Sequence, residues 1–161
     1  MVLSLFVFAL SAQETRITED KDIPLIGAPS DGSFKAGLLG GVISGFTAGY
    51  RFSNWFEING IAGWNWHHHD AGALGLNGLF TLVQLKAGDH GVLPLSFGPQ
   101  VVFVVGENFA IETTADLRIE YTFSEIPLNI FAEGGGGIRL FDLSGNSFVA
   151  WHGSLGARYV F

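Results

Sequence analysis

From Phe34 to Phe161 the chain alternates, residue by residue, between two chemically opposite sets of side chains. In the stretch 109–123, Phe109, Ile111, Thr113, Ala115, Leu117, Ile119, Tyr121 and Phe123 share one parity, and all four charges, Glu112, Asp116, Arg118 and Glu120, share the other. A period of two is the geometry of a strand, whose successive side chains point to opposite faces. The last stretch repeats it. Val149, Trp151, Gly153, Leu155, Ala157, Tyr159 and Phe161 oppose Ala150, His152, Ser154, Gly156, Arg158 and Val160. Phe56, Ile58, Gly60, Ala62, Trp64 and Trp66 likewise oppose Glu57, Asn59, Gly63 and Asn65, and Phe46, Ala48, Tyr50 and Phe52 oppose Thr47, Gly49 and Arg51.

Four weaker segments, 33–42, 73–86, 92–105 and 128–141, bring the count to eight strands. Val101 to Val105 and Leu79 to Val83 are apolar on both parities, so neither run declares its faces. Turns are expected at Ser44-Gly45, Ser53-Asn54, His67 to Gly72, Ala87 to Gly91, Gly106 to Asn108, Ser124 to Pro127 and Asp142 to Ser147. The 23 Gly and 15 Phe fit this all-β reading.

Ahead of the alternation, Met1 to Ala12 is an apolar run of leader length ending in small residues, expected to be a signal peptide cut near Ala12. It lacks a basic n-region, as a leader trimmed at its start would. Residues 13–33 carry charge, two Pro and turn formers without periodicity, and are expected to be a flexible periplasmic lead-in.

The direction of the two faces separates a membrane barrel from a soluble one. In water, large apolar residues point inward; in lipid, the aromatic face points out and the polar face fills the lumen. The polar parity carries Lys35, Arg51, Lys86, Arg118, Arg139 and Arg158 against Glu57, Glu112, Asp116, Glu120 and Glu133. That near balance suits a closed interior, where buried charges must be paired. Several segments are long enough to cross a tilted hydrocarbon span, and aromatics cluster near segment ends, as at water–lipid interfaces. The expected fold is an eight-stranded antiparallel up-and-down transmembrane β-barrel over residues 34–161.

A net charge of -7 disfavours nucleic-acid binding, which needs a basic surface. The absence of cysteine removes disulfides, thiolate metal sites and a catalytic thiol. Three further features suggest chemistry and have plainer readings. His67-His68-His69-Asp70 could ligate a metal, but adjacent strand residues diverge, which favours a solvated loop. His152 and Ser154, with Glu133 or Glu120 orienting the histidine, weakly resemble the residues of lipid A deacylase barrels; lumen packing is the preferred reading. Gly134 to Gly137 lacks the Lys and Ser/Thr of a phosphate loop and lies within a strand, where glycine gives room.

The final residues, Gly153 to Phe161 with Leu155, Ala157, Tyr159 and Phe161 on one parity, resemble the C-terminal strand of bacterial outer-membrane proteins. The stretch from Phe34 onward is similar to small barrels of the OmpA and OmpX type. The resemblance implies an outer-membrane location, a lipid bilayer as partner, and recognition of the terminal strand by the barrel-assembly machinery. A monomer without cofactor, catalysis or bound metal is expected, with a structural role in the envelope and a lumen filled by paired side chains. The alternatives are a narrow pore for small solutes, a lipid-modifying barrel enzyme and a soluble ligand-binding barrel.

Overall fold

Strand alternation over eight segments leaves one way to satisfy every backbone edge, which is closure. A computed structural model describes residues 32–66, 71–87, 91–106, 109–123, 125–142 and 148–161. Its strands are β1 (Ser33–Gly41), β2 (Ile43–Ser53), β3 (Phe56–Asn65), β4 (Ala71–Ala87), β5 (Gly91–Val105), β6 (Ala110–Thr122), β7 (Leu128–Asp142) and β8 (Val149–Val160). Each pairs antiparallel with the next, and β8 returns to β1 with Lys35 opposite Val160 and Gly41 opposite Ser154. The result is a closed eight-stranded up-and-down barrel. Closure removes the unpaired edges that would otherwise template aggregation.

The expected strands match closely, with one displaced turn. Ser44 and Gly45 lie inside β2, opposite Trp64 and Gly63. The chain reverses instead at Val42, whose amide donates to Gly153 and whose carbonyl accepts from Trp66, so both neighbouring strands hold the bend. Ser44 Oγ receives a 3.2 Å bond from the Gly41 amide and can return one to the Gly41 carbonyl. A Ser-Gly pair read locally as a turn therefore ties the turn down from within the strand.

The two ambiguous runs have separate explanations. In β4 the register slips between Thr81 and Val83, so Leu82 and Val83 both face outward while Leu79 faces the lumen. A bulge of this kind inserts one residue and resets parity, which blurs any period-two count across it. In β5 the alternation is intact but both faces are apolar. Phe103 and Val105 are exposed, whereas Val102 and Val104 are buried in an inner cluster with Leu39, Ile43, Ile61, Ala71, Ala73 and Ala110.

The interior is thus divided along its length. Apart from Phe131, the apolar cluster draws on the β1–β2, β3–β4 and β5–β6 ends of the strands, where the Glu112–Arg139 pair also lies, while Lys35, Arg51, Glu57, Arg118, Glu120, Glu133 and Arg158 gather toward the end where β1 begins and β8 finishes.

Candidate functional site

Of the eleven charged residues assigned to the lumen by parity, ten are buried: Lys35, Arg51, Glu57, Glu112, Asp116, Arg118, Glu120, Glu133, Arg139 and Arg158. The side chain of Lys86 lies outside the described residues; its backbone pairs with Val92. Because each inward strand position faces a common axis, charges distant in sequence converge.

Glu57, near the start of β3, is the hub. Its carboxylate accepts from Lys35 Nζ at 2.9 Å, Arg51 Nη2 at 2.7 Å, Arg158 Nη1 at 2.9 Å and Arg118 Nη1 at 3.4 Å. Glu120 of β6 takes a second bond from Lys35 at 3.0 Å, one from Arg158 Nη2 at 2.8 Å, and a close contact from Arg51. Glu133 of β7 is held by Arg118 through Nε at 2.9 Å and Nη2 at 2.5 Å, while its other oxygen accepts from Ser154 Oγ at 2.8 Å. Four bases and three carboxylates therefore form one network spanning β1, β2, β3, β6, β7 and β8. A separate pair joins Arg139 Nη2 to Glu112 Oε1 at 2.8 Å.

Neutral groups complete the arrangement. Asn59 and Asn129 present Oδ1 to Arg158 at 2.6 and 3.0 Å. Phe131 is the inward aromatic of β7: the guanidinium carbons of Arg118 and Arg158 lie 4.6 and 4.8 Å from its ring centroid. The ring occupies space that a side chain at position 156 would need, since a Cβ on Gly156 would meet it at 2.3 Å. An apolar ring inside a polar lumen is accounted for here by cation–π contact with two guanidinium groups. Arg51, Arg118, Arg158 and Glu57 are all at 2% exposure or less, so the network fills the lumen around them closely.

Sequence reasoning missed the uncharged part of the lumen. Asn77, Gln100, Thr114, Asn129 and Ser96 are also buried, and they share inward positions with the charged residues. Gln100 and Ser96 lie in β5, where the apolar run hid the parity, and β4 carries a bulge beyond Asn77.

The candidate His152–Ser154 pair does not form a hydrolase relay. Ser154 Oγ donates its proton to Glu133, and neither nitrogen of His152 has a hydrogen-bond partner; its nearest charged group is Asp116, with Nε2 to Oδ2 at 3.4 Å. Gly134 to Gly137 lie inside β7, with Gly135 opposite both Asp116 and His152. The run His67 to Asp70 lies outside the described residues. Leu155, Tyr159 and Phe161 are exposed on the outer wall together with Ala157, and the Phe161 amide N–H donates a hydrogen bond to the Phe34 carbonyl.

No protein-family model matches the chain, and neither the curated proteins nor the solved structures contain a significant match. The functional reading therefore rests on the barrel's own chemistry.

Proposed function

We propose that the chain is an integral outer-membrane β-barrel with a structural role in the envelope, held in lipid by its outer wall and plugged by its lumen network. The observation that carries this reading is the inversion of the two faces. Trp64, Leu117, Trp151 and Tyr159 are 41–54% exposed on the outside, while Arg51, Glu57, Arg118 and Arg158 are enclosed. A soluble barrel has no reason to present all four of its tryptophans outward, and an apolar surface running around a whole barrel exceeds the few hundred Å² that a soluble monomer exposes.

The aromatic positions supply a length. Along β8, Trp151 and Tyr159 are eight residues apart; along β3, so are Phe56 and Trp64. At ~3.3 Å per residue and a tilt of roughly 40°, this is about 20 Å along the axis, and the rings at each level widen it toward the ~25 Å apolar band of such barrels. At one end Tyr50, Phe52, Trp55, Phe56 and Phe80 form a continuous ring-to-ring cluster with centroid spacings of 4.8–6.0 Å. No helix among the described residues is long and apolar enough to span a membrane, so insertion would use the strands.

The exposed alternate residues Leu155, Ala157, Tyr159 and Phe161 support a role for the last strand as the segment engaged by the assembly machinery. Embedding is tested by carbonate extraction of bacterial membranes together with gel mobility in detergent before and after boiling. Retention in the membrane and a heat-dependent mobility change are expected. A protein released by carbonate and monodisperse without detergent would refute the membrane reading.

A further inference from the structure

Asp116 stands apart from every other described carboxylate of the lumen. Glu57, Glu120, Glu133 and Glu112 each contact an arginine or lysine, whereas Asp116, fully buried, contacts neither and has only the Thr114 hydroxyl beside it, without a well-formed hydrogen bond on either oxygen. The one ionisable side chain within 4 Å of it is the imidazole of His152, itself without a hydrogen-bond partner at either ring nitrogen. Arg118, two residues along the same strand, is committed to Glu133 and Glu57.

The two groups come from β6 and β8, which are not neighbours. They meet across β7 at Gly135, which pairs with Asp116 on one side and with His152 on the other. A Cβ at position 135 would lie 2.0 Å from Asp116 Oδ1, so the absence of a side chain there is what opens the space.

The Nε2–Oδ2 distance is 3.4 Å. A charge-assisted N–H···O bond is shorter, about 2.7–2.9 Å. Two ligands on one tetrahedral ion with bonds of about 2.0–2.1 Å are separated by about 3.3–3.4 Å, the edge of the tetrahedron. We propose that Asp116 and His152, joined across Gly135, are the two protein ligands of a lumen site for a divalent transition-metal ion of the zinc class. Imidazole with carboxylate selects such ions over calcium or magnesium, which prefer all-oxygen shells. The ion supplies the positive charge that the buried Asp116 carboxylate lacks. Thr114 Oγ1, at the next inward position of β6 and beside the Asp116 carboxylate, would be a third oxygen ligand, and water would complete the shell.

The chain has five histidines, so a variant with His67, His68, His69 and His90 changed to Gln leaves His152 alone. That barrel is refolded in detergent with Co²⁺, and folding is followed by gel mobility. One equivalent of Co²⁺ with a tetrahedral visible absorption band, displaced by Zn²⁺, is expected. Adding Asp116→Asn or His152→Gln should weaken binding by at least ~10-fold, the lower bound set by loss of a mere outer-shell partner. No band in the single-histidine barrel, or an unchanged band in a folded Asp116→Asn barrel, overturns the proposal. X-ray absorption of the loaded single-histidine barrel needs no change at the site itself: a metal shell containing one imidazole nitrogen supports the assignment, and one containing none overturns it.

Discussion

The most demanding consequence of the lumen network concerns Glu57. Glu57→Gln keeps the side-chain volume and removes one charge. Lys35, Arg51, Arg118 and Arg158, all within 3.4 Å of that carboxylate, are left with Glu120 and Glu133 as their anionic partners, and the amide NH₂ of the new side chain faces cations. Since the side chains of Glu57 and Arg158 are 1% and 0% exposed, water cannot take over the lost partnership. Removing one member of a buried ionic network costs about 3–5 kcal/mol. At about 1.4 kcal/mol per tenfold change, that is two to four orders of magnitude in the folding equilibrium. With a urea dependence of ~2 kcal/mol per molar, the midpoint should fall by about 2 M. Reversible urea titration in lipid vesicles, read by gel mobility and tryptophan fluorescence, measures it. Lys35→Met in the Glu57→Gln background removes one of the positive charges then in excess over Glu120 and Glu133, so the double variant should recover part of the loss, with a coupling of at least ~1 kcal/mol. A midpoint unchanged in Glu57→Gln, or strict additivity in the double variant, would refute the idea that these residues act as one electrostatic unit.

Three other outcomes follow from the same geometry. Gly135→Ala places a methyl 2.0 Å from Asp116 Oδ1 and 2.6 Å from the Ala115 carbonyl and should cost ~1–3 kcal/mol by overpacking, whereas Gly60→Ala, whose added Cβ meets only the Ala48 carbonyl at 3.9 Å, should be nearly neutral in the same titration. Leu117→Arg, at the centre of β6 on the outer wall, should lower stability in bilayers by ~2–4 kcal/mol, against ~0–1 kcal/mol for Trp64→Arg near the rim; equal losses at the two depths would argue against lipid around the barrel. Ser154→Ala removes one hydrogen bond to Glu133, which Arg118 still holds, so a loss of about 1 kcal/mol is expected, and any lipid-hydrolase activity abolished by this change would contradict the structural role given to the residue.

How far this barrel can be read from its residues depends on whether a strand separates its chemistry by face. In β6, charges occupy only one parity, so Glu112, Asp116, Arg118 and Glu120 could be placed inward without coordinates, and the closed barrel puts them there. In β5, Val102 and Val104 line an apolar part of the lumen while Phe103 and Val105 cover the wall; with grease on both sides, alternation carries no directional signal. The bulge at Thr81 and Val83 hides direction differently, by changing parity mid-strand without changing composition. Ser44-Gly45 was legible as a polar, flexible pair but not as a brace, because its role depends on the Gly41 backbone folding back toward it.

Which charges pair is a further step, and parity cannot supply it. Lys35 reaches Glu57 and Glu120 on strands that do not adjoin β1, and Arg158 reaches Glu57 across a sequence separation of 101, because an eight-stranded barrel is narrow enough for long side chains to meet over its axis. The Asp116–His152 contact needs still more. It requires the β6–β7 register that puts Asp116 opposite Gly135, the β7–β8 register that puts Gly135 opposite His152, and the missing side chain between them. A one-residue slip in either pairing would turn one partner toward the outer wall. The four-glycine run, which by itself says only that β7 has little bulk there, thus acquires a specific meaning at one of its positions: Gly135 is the gap across which β6 and β8, strands that do not adjoin, bring two side chains together.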